Sequence, residues 1–595
     1  MAVYKAPLKE IMFVLNEVLD VSSLAKLPGY EDATPDTIQA IFEEAAKLCE
    51  NVIFPINRSG DEEGCHYENG VVRTPKGFKE AYDQYRDGGW TALTADPKYG
   101  GQGLPATLSF VVQEMMTSAN QAFAMYPGLT HGAYEALLVH GSEELKQRFL
   151  PKLTSGVWSG TMCLTEPHCG TDLGMLRTKA EPNADGSYSI TGTKIFISAG
   201  EHDLTENILH LVLARLPDAP GGTKGISLFV VPKFLPKDDG SLGERNGIRC
   251  GAIEHKMGIK ANATCVMNID SAKGWLVGEA NKGMNAMFVM MNAARLGVGM
   301  QGLGIAEVAY QSAVAYARDR IQGRSLTGPK NANGPADPII VHPDVRRMLM
   351  TQRSFTEAAR ALALWVGMLI DEAHRHPDAA KREAADDLIQ MLTPIIKAYF
   401  TDMGSECANL AVQTYGGHGF IRENGVEQLM RDARITQLYE GTNGIQALDL
   451  VGRKLPMKGG RAAQRLLGEI SGFVGAYKTN EKMKEFVEPL EKALGRVQDA
   501  ALFLMQHAMK NPDEAGAAAT DLLRLMAITA MAYMWGRIAV AAFKGLEKGS
   551  DNAFYEAKLA TARFYIARVL PQTTSLNHQI KAGAATLMAL PAEAF

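Results

Sequence analysis

The stretch QLYEGTNGIQ, Gln437 to Gln446, sets one carboxylate, Glu440, between Tyr439 and Gly441 and ahead of the short polar turn Thr442–Asn443. A glutamate in that setting is either a solvated charge at a helix end or a general base. A base needs burial to lift its proton affinity toward working pH. A second candidate is GVGMQGLG, which spaces Gly297, Gly299 and Gly302 as in a dinucleotide-binding turn. That turn requires a strand before it, and what precedes it is MNAMFVMMNAARL, a methionine-rich run at helical spacing. Two helices in close approach explain these glycines more simply. His168 and Cys169 in TEPHCGTD could suggest metal or thiol chemistry, but no matching ligand set accompanies them. Cys169 reads as a small packed residue.

The elements that would carry these residues change texture along the chain. Up to about residue 155 the pattern is helical: TPDTIQAIFEEAAKLCENVI opens on a start signal and repeats apolar residues at helical spacing, as do LSFVVQEMMTSANQAF and GSEELKQRFLPKL. From about residue 160, GSYSITGTKIFISAG, ILHLVLARL, GISLFVVPKF and ATCVMNID are short β-branched and aromatic runs bounded by Gly, Asn, Asp and Pro. The insertion PKDDGSLGERNGIRCG reads as a loop or hairpin. Helical pattern returns near residue 282 and runs to 455, where GRKLPMKGGRAA reads as a linker. Residues 462–595 are again helical. The expected fold is α+β, mostly α, in four parts: a helical domain over 1–159, a β domain over 160–281, a helical bundle over 282–455 and an additional helical domain over 462–595.

Composition narrows the class. With 595 residues the chain exceeds what one core serves. Its 46% hydrophobic and 21% charged residues suit a globular protein, and a net charge of −5 without like-charge blocks suggests neither a nucleic-acid tail nor a membrane-surface anchor. Seven cysteines without a CxxC pair fit reduced thiols and a cytoplasmic location. MAVYKAPLKEIMFVLNEVLD lacks a cleavable apolar core, and no run of about twenty uncharged apolar residues suggests a membrane span.

Six segments in order, YGGQGLP, HGSEELKQRFLPKLTSGVWSGTMCLTEPHCGTDLG, GTKIFISAGEHD, EHKMGIKANATC, QTYGGHGF and MRDARITQLYEGTNGIQ, resemble the acyl-CoA dehydrogenase family over roughly residues 35–455. The additional C-terminal domain resembles the family's long branch. The resemblance implies a helical domain, a β domain and a four-helix bundle. It also implies oxidation of an acyl-CoA thioester to the 2-enoyl-CoA, with FAD as hydride acceptor and an electron-transfer flavoprotein as electron acceptor. A homodimer is expected, with the FAD diphosphate and adenosine bound partly by the second subunit.

Carried onto this chain, the family pattern makes Glu440 the base that removes the α-proton. Gly441 would leave room for the thioester, and Tyr439 would wall the acyl pocket. In relatives whose base lies elsewhere it precedes the arginine matching Arg295. Here Ala294 stands there, which leaves Glu440 alone. Asn292 and Arg295 match positions near the pantetheine and the catalytic loop, and Arg295 equally suits a structural ion pair. Met162, Leu164 and Thr165 match the strand at the flavin's pyrimidine edge. Phe196 and Ser198 match its stacking aromatic and its N5 donor, with a core aromatic as the lesser reading of Phe196. Gly170 and Thr171 match the CoA-binding turn.

Arg320 and Gln322 match residues for the FAD diphosphate, where Gly323 replaces the family's usual phenylalanine. Gln413, Gly416 and Gly417 match the loop toward the ADP part, and Thr442 and Asn443 would contact FAD beside the base. Bulky residues in FVVQEMMTSANQAF and FVMMNAARL could cap a short acyl pocket, and their methionines could accommodate a thioether. Plain core is the more economical reading of those methionines. A medium- or long-chain acyl-CoA substrate, an acyl-CoA oxidase and a non-catalytic binding protein on the same scaffold stay open at this stage. Residues 462–595 interleave acids with lysines and arginines, so no phosphate-binding stripe for nucleic acid stands out.

Overall fold

The computed structural model describes residues 2–549 and 551–595. The fold is α+β and mostly α, in two compact units. One comprises Met1–Ala46, Pro105–Glu114 and Val298–Phe595, the other Lys47–Leu104 and Met115–Gly297.

The second unit is organised by a seven-stranded sheet: β1 Trp158–Cys163, β2 Lys179–Pro182, β3 Tyr188–Ser198, β4 Asn207–Arg215, β5 Ile226–Pro232, β6 Ile248–Ile253 and β7 Thr264–Val277. Their order is β6-β7-β3-β2-β4-β1, and β5 pairs with both β4 and β7. β1 runs parallel to β4, whereas β3 and β7 pair antiparallel. β1 and β5 are buried along their whole length and β4 at all but its last residue. That is why ILHLVLAR is a continuous apolar run rather than an alternating one. The insertion after β5 is a hairpin, Phe234–Pro236 against Leu242–Arg245. The expectation of helix up to residue 155 misses a second hairpin, His66–Glu68 against Val71–Arg73. Its turn residues Asn69 and Gly70 have φ of 49° and 83°, and Asn-Gly is the strongest short hairpin signal.

The first unit holds most of a long helix, α1 (Gly283–Asp319), with α2 (Pro343–Arg375) and α3 (Ala379–Tyr415). After them come α4 (Val426–Arg434), α5 (Asn443–Asp449), α6 (Met457–Tyr477), α7 (Lys484–His507), α8 (Asp513–Lys548), α9 (Asn552–Phe564) and α10 (Gln572–Lys581). The GxGxxG reading is settled here. A Cβ on Gly302 would run into the backbone of Phe400, and one on Gly404 would stand 2.6 Å from the Gly302 carbonyl oxygen. The glycines let α1 and α3 touch backbone to backbone, and no nucleotide turn is present.

The presumed linker at 452–463 is helical on both sides of a sharp reversal. Lys458, Gly459 and Gly460 take successive left-handed φ values of 52°, 68° and 83°. α8 passes the length and hydropathy test for a membrane span, yet its apolar window is 89% buried inside the fold. Its Trp535 indole N–H donates to the Ser354 carbonyl of α2 at 3.1 Å, and its packing against α7, α9 and α10 makes it the core helix of the additional C-terminal domain.

Candidate active site

Glu440 sits in the left-handed region with φ of 56°, and Gly441 follows at 83°. For a non-glycine residue that conformation costs roughly 1–2 kcal/mol, so other contacts must hold it, and they come from both sides. Lys397 on α3, with a relative exposure of 0%, donates from Nζ to the Gly441 carbonyl at 2.7 Å and to Asn443 Oδ1 at 2.9 Å. From α5, Gln446 Nε2 donates to the carbonyls of Glu440 and Gly441, both at 3.2 Å. Thr442 caps α5 by accepting from the Ile445 N–H at 3.3 Å.

The ends of the turn are tied to one face of α3. Gln437 donates to Asp402 at 2.7 Å and accepts from Ser405 at 3.1 Å. The Asn443 amide donates to Asp402 at 2.7 Å, to Thr401 at 2.9 Å and to the Ala398 carbonyl at 3.1 Å. Thus the Asn443 carboxamide faces α3, where its hydrogen-bonding groups are engaged. The Asn443 side chain therefore holds the turn, which leaves its backbone for the expected place beside FAD. Tyr439 donates its hydroxyl to Gln301 of α1, which fixes the ring beside Glu440. Glu440 is half-buried.

Four other expected residues of this unit converge. Arg320, Gln322, Gly416 and Gly417 line one cavity of about 370 Å³, with Tyr316, Tyr415 and His418 in its wall. Tyr316 and Tyr415 stack at 4.0 Å, and the Tyr316 hydroxyl lies 2.7 Å from His418 Nδ1. A Cβ at Gly416 or Gly417 would meet no atom within 4 Å, so the backbone there is open to a ligand. A guanidinium, an amide, an aromatic wall and bare glycine backbone suit the diphosphate and adenosine end of FAD. Gln413 is exposed on the last turn of α3 and lies outside the lining of this cavity.

The segment carrying Arg320 and Gln322 is organised by a residue that sequence reasoning missed. Buried Asp337 accepts from the N–H groups of Asn331 at 2.7 Å, Ser325 at 2.8 Å and Lys330 at 2.9 Å, and from Arg324 at 3.3 Å. Its backbone closes the ladder: Gln322 N–H donates to the Asp337 carbonyl and Asp337 N–H to the Gly323 carbonyl, both at 2.9 Å. The Ser325 N–H above all, with the other donors, holds the Asp337 carboxyl down at about 2 against the loss of solvation. A depressed carboxyl contributes stability above its unfolded pKa and loses it as pH falls toward the folded value. The loop is therefore expected to stay ordered until pH drops from about 4 to about 2. Asp337→Asn places an NH2 group among these donors. It is expected to lower FAD retention on gel filtration and to open residues 323–337 to proteolysis at neutral pH.

In the other unit, the expected flavin contacts gather at the end of β3. Phe196 has a left-handed φ of 59° and is 60% exposed, so the core-aromatic reading is wrong. The pairing of β3 with β7 slips by one residue between Cys265 and Met267. A bulge of this kind re-aims a side chain, and here it turns the ring outward while Ile197 stays in the core. Ser198 beside it is half-buried.

Leu164 and Thr165 are pinned from the same strand: Lys194 donates to the Leu164 carbonyl at 2.9 Å and the Ile195 N–H to the Thr165 carbonyl at 2.9 Å. Met162 belongs to the core of the unit. Gly170 and Thr171 are exposed in the turn after β1, Asn292 is half-buried and Arg295 is buried on α1. Met287 and Met290 are core residues, in line with the plainer reading of the methionine run.

Glu166, His168 and Cys169 bring three potential ligand atoms within 4.8 Å. The Lys194 ammonium already lies 2.8 Å from Glu166, and His168 Nε2 lies 3.0 Å from the Met175 carbonyl oxygen. A second cation there would face the lysine. Cys169 is buried, as expected. His202 and His210 are held neutral by burial, which pushes both down to about 3. They bond to Ser159 and Thr161 in the core and are not proton-transfer candidates.

Comparison with known proteins covers the whole of this arrangement. Family models described as the acyl-CoA dehydrogenase N-terminal, middle and C-terminal domains match residues 35–157, 161–272 and 281–455. A model described as acetyl-CoA dehydrogenase C-terminal like matches residues 466–591. The chain is 44% identical to the 3-methylmercaptopropionyl-CoA dehydrogenase of Ruegeria pomeroyi, over 97% of this chain and 98% of that protein. It is 37% identical to a butyryl-CoA dehydrogenase of Syntrophomonas wolfei, over 100% of this chain and 99% of that one. An acyl-CoA dehydrogenase of Bacillus anthracis, solved with FAD, superposes with a TM-score of 0.73 at 20% identity, over 99% of this chain and 93% of that one.

Proposed function

We propose, on the premise that this chain belongs to the acyl-CoA dehydrogenase family and is an FAD-dependent oxidoreductase acting on acyl-CoA, that its substrate is a short acyl-CoA, 3-(methylthio)propanoyl-CoA, which it converts to 3-(methylthio)acryloyl-CoA. The observation that carries the reaction is the left-handed Glu440–Gly441 turn held by Lys397 and Gln446. The substrate reading rests on the 44% identity to a protein named for that thioester, and the similarity to a butyryl-CoA dehydrogenase supports a short acyl group.

FAD, when bound, would supply the hydride acceptor for the β-hydrogen. The chain's own residues do the rest. The Glu440 carboxylate takes the α-proton, and its backbone N–H donates to the thioester oxygen as negative charge develops there. Gly441 offers no side chain to crowd that oxygen. Phe196 would stack on the ring system and Ser198 would donate to it, while Leu164 and Thr165 would meet its polar edge from the strand that Lys194 pins. Arg320 and Gln322, with the open backbone of Gly416 and Gly417, would hold the diphosphate and adenosine. Gln413 would support that loop from the end of α3, and the Thr442 hydroxyl would meet the cofactor beside the base. Gly170, Thr171, Asn292 and Arg295 hold the CoA portion, and Tyr439 walls the acyl group. An electron-transfer flavoprotein takes the electrons onward, and a homodimer is the working assembly.

The test is an anaerobic titration of the yellow protein with 3-(methylthio)propanoyl-, butyryl-, octanoyl- and palmitoyl-CoA, followed at the flavin band. Prompt bleaching by the first two and slow bleaching by the last two is the expected result. Preference for palmitoyl-CoA would keep the reaction and discard the substrate. Turnover that consumes oxygen would replace the flavoprotein acceptor with an oxidase.

A further inference from the structure

A buried lysine in the middle of an apolar helix needs a reason. Removing its charge from water costs several kcal/mol unless excellent hydrogen bonds replace the lost hydration. Lys397 stands in TPIIKAYF on α3, between residues that are buried on both sides. Its ammonium reaches the Gly441 carbonyl at 2.7 Å and Asn443 Oδ1 at 2.9 Å. These are the residue directly after the base and the residue that opens the next helix.

A charged donor on a backbone carbonyl is about twice as strong as a neutral one. Here it bears on the peptide that follows a non-glycine residue in the left-handed region. Asn443 then passes the restraint to Asp402 and Thr401, and Asp402 returns it to Gln437 at the other end of the turn. The chain closes around Glu440, with Lys397 as its buried cation and Arg434 donating to Gln437 at the far end at 2.9 Å.

We propose that Lys397 is a positioning residue for the reaction: it locks the Glu440–Gly441 turn in its left-handed form and so sets the carboxylate and the N–H of Glu440 at the height the reacting thioester requires. The inference rests on Glu440 being the base. Without the lysine, Glu440 can relax toward an ordinary right-handed or extended conformation, which swings both groups away. Loss of alignment by about 1 Å costs on the order of 10²-fold in rate. Of the residues proposed to hold FAD, Thr442 belongs to this turn, whereas Arg320, Gln322 and Phe196 lie outside it, so most of the cofactor's contacts do not pass through Lys397.

The experiment compares Lys397→Met, Lys397→Arg, Gln446→Leu and Glu440→Gln with the unaltered protein. Each is loaded with FAD and mixed with butyryl-CoA in single-turnover flavin bleaching, with bound FAD and the acyl-CoA dissociation constant measured alongside. Expected results are a loss of roughly 10²-fold in bleaching rate for Lys397→Met, with FAD content unchanged and substrate affinity within about threefold. Partial recovery in Lys397→Arg and a smaller loss in Gln446→Leu complete the pattern.

A Lys397→Met protein that bleaches at the unaltered rate would overturn the positioning role while leaving Glu440 as the base. One that loses FAD or its fold would overturn it as well, since the lysine would then support the bundle rather than the turn. If Glu440→Gln bleaches normally, the reading of the base falls, and the role of Lys397 falls with it.

Discussion

Glu440→Gln is expected to give a folded yellow protein that binds acyl-CoA and no longer bleaches. Glutamine matches glutamate in shape and keeps the backbone N–H, so the left-handed turn and its contacts to Lys397 and Gln446 are retained. What the reaction loses is a carboxylate able to accept a proton. The α-proton of a thioester is weakly acidic, so water or a neighbouring hydroxyl is a poor substitute, and the bleaching rate should fall by about 10⁴-fold. Spectral perturbation of the flavin on ligand addition should persist with a similar midpoint. Retained bleaching above about one hundredth of the original rate would show that another group takes the proton. Among the described residues the two buried histidines of the β domain are excluded by their engagement with Ser159 and Thr161.

The largest effect on stability is expected from Arg360→Met. Arg360 is buried on α2, with Nη2 2.6 Å from Glu114 and 2.7 Å from Glu307, and its Nε adds a second bond to Glu114 at 3.0 Å. Burial alone opposes the arginine's charge, but the two carboxylates outweigh it and hold its pKa up. Burial raises the Glu114 carboxyl, against the pull of Arg360. Removing the guanidinium leaves two carboxyl groups facing each other out of reach of water. The cost of breaking such a cluster is about 3–5 kcal/mol, read as a fall in Tm and in soluble yield. Replacing Arg360, Glu114 and Glu307 together by leucine should restore much of the loss, because a packed apolar cluster needs no charge compensation. If the triple variant is as unstable as Arg360→Met, the arginine is needed for its shape rather than its charge.

Periodicity and motif order made most of the architecture legible. Continuous apolar runs mark β4 and β5, and the glycine spacing on α1 makes sense once the run before it is seen to be helical. The misses share a cause. The His66–Arg73 hairpin lies inside a region of helical pattern and is announced only by Asn69–Gly70. Phe196 carries a core-aromatic alternative because strand pattern does not show a bulge, and a one-residue slip sends the ring outward. Pattern is equally silent on the facing of the Asn443 side chain, which turns to α3.

Lys397, Asp337 and Arg360 carry a weaker signal that could have been used: a lone charge within an apolar or turn-rich stretch. Its partner lies 44 residues away for Lys397 and 246 for Arg360. No local rule gives such a partner, so the charge can be flagged as buried but its task cannot be read.

The additional C-terminal domain has a consequence for the order in which the chain matures. Lys558 on α9 bonds to Glu10 and, at 3.0 Å, to Glu357. The Tyr555 hydroxyl donates to Glu17 at 3.1 Å, Phe554 meets Phe13 edge-on at 5.2 Å, and Arg537 donates to the Val18 carbonyl at 3.0 Å. Segment 8–18, with Ile11, Phe13, Val14 and Leu15 buried, is thus seated by side chains made more than five hundred residues later. At translation rates of roughly 5–20 residues per second, that wait lasts about half a minute to two minutes. Throughout it segment 8–18 lacks these partners, and once residues 343–375 are made it has α2 as a partial seat. The seam closes only once Arg537, Phe554, Tyr555 and Lys558 have been made.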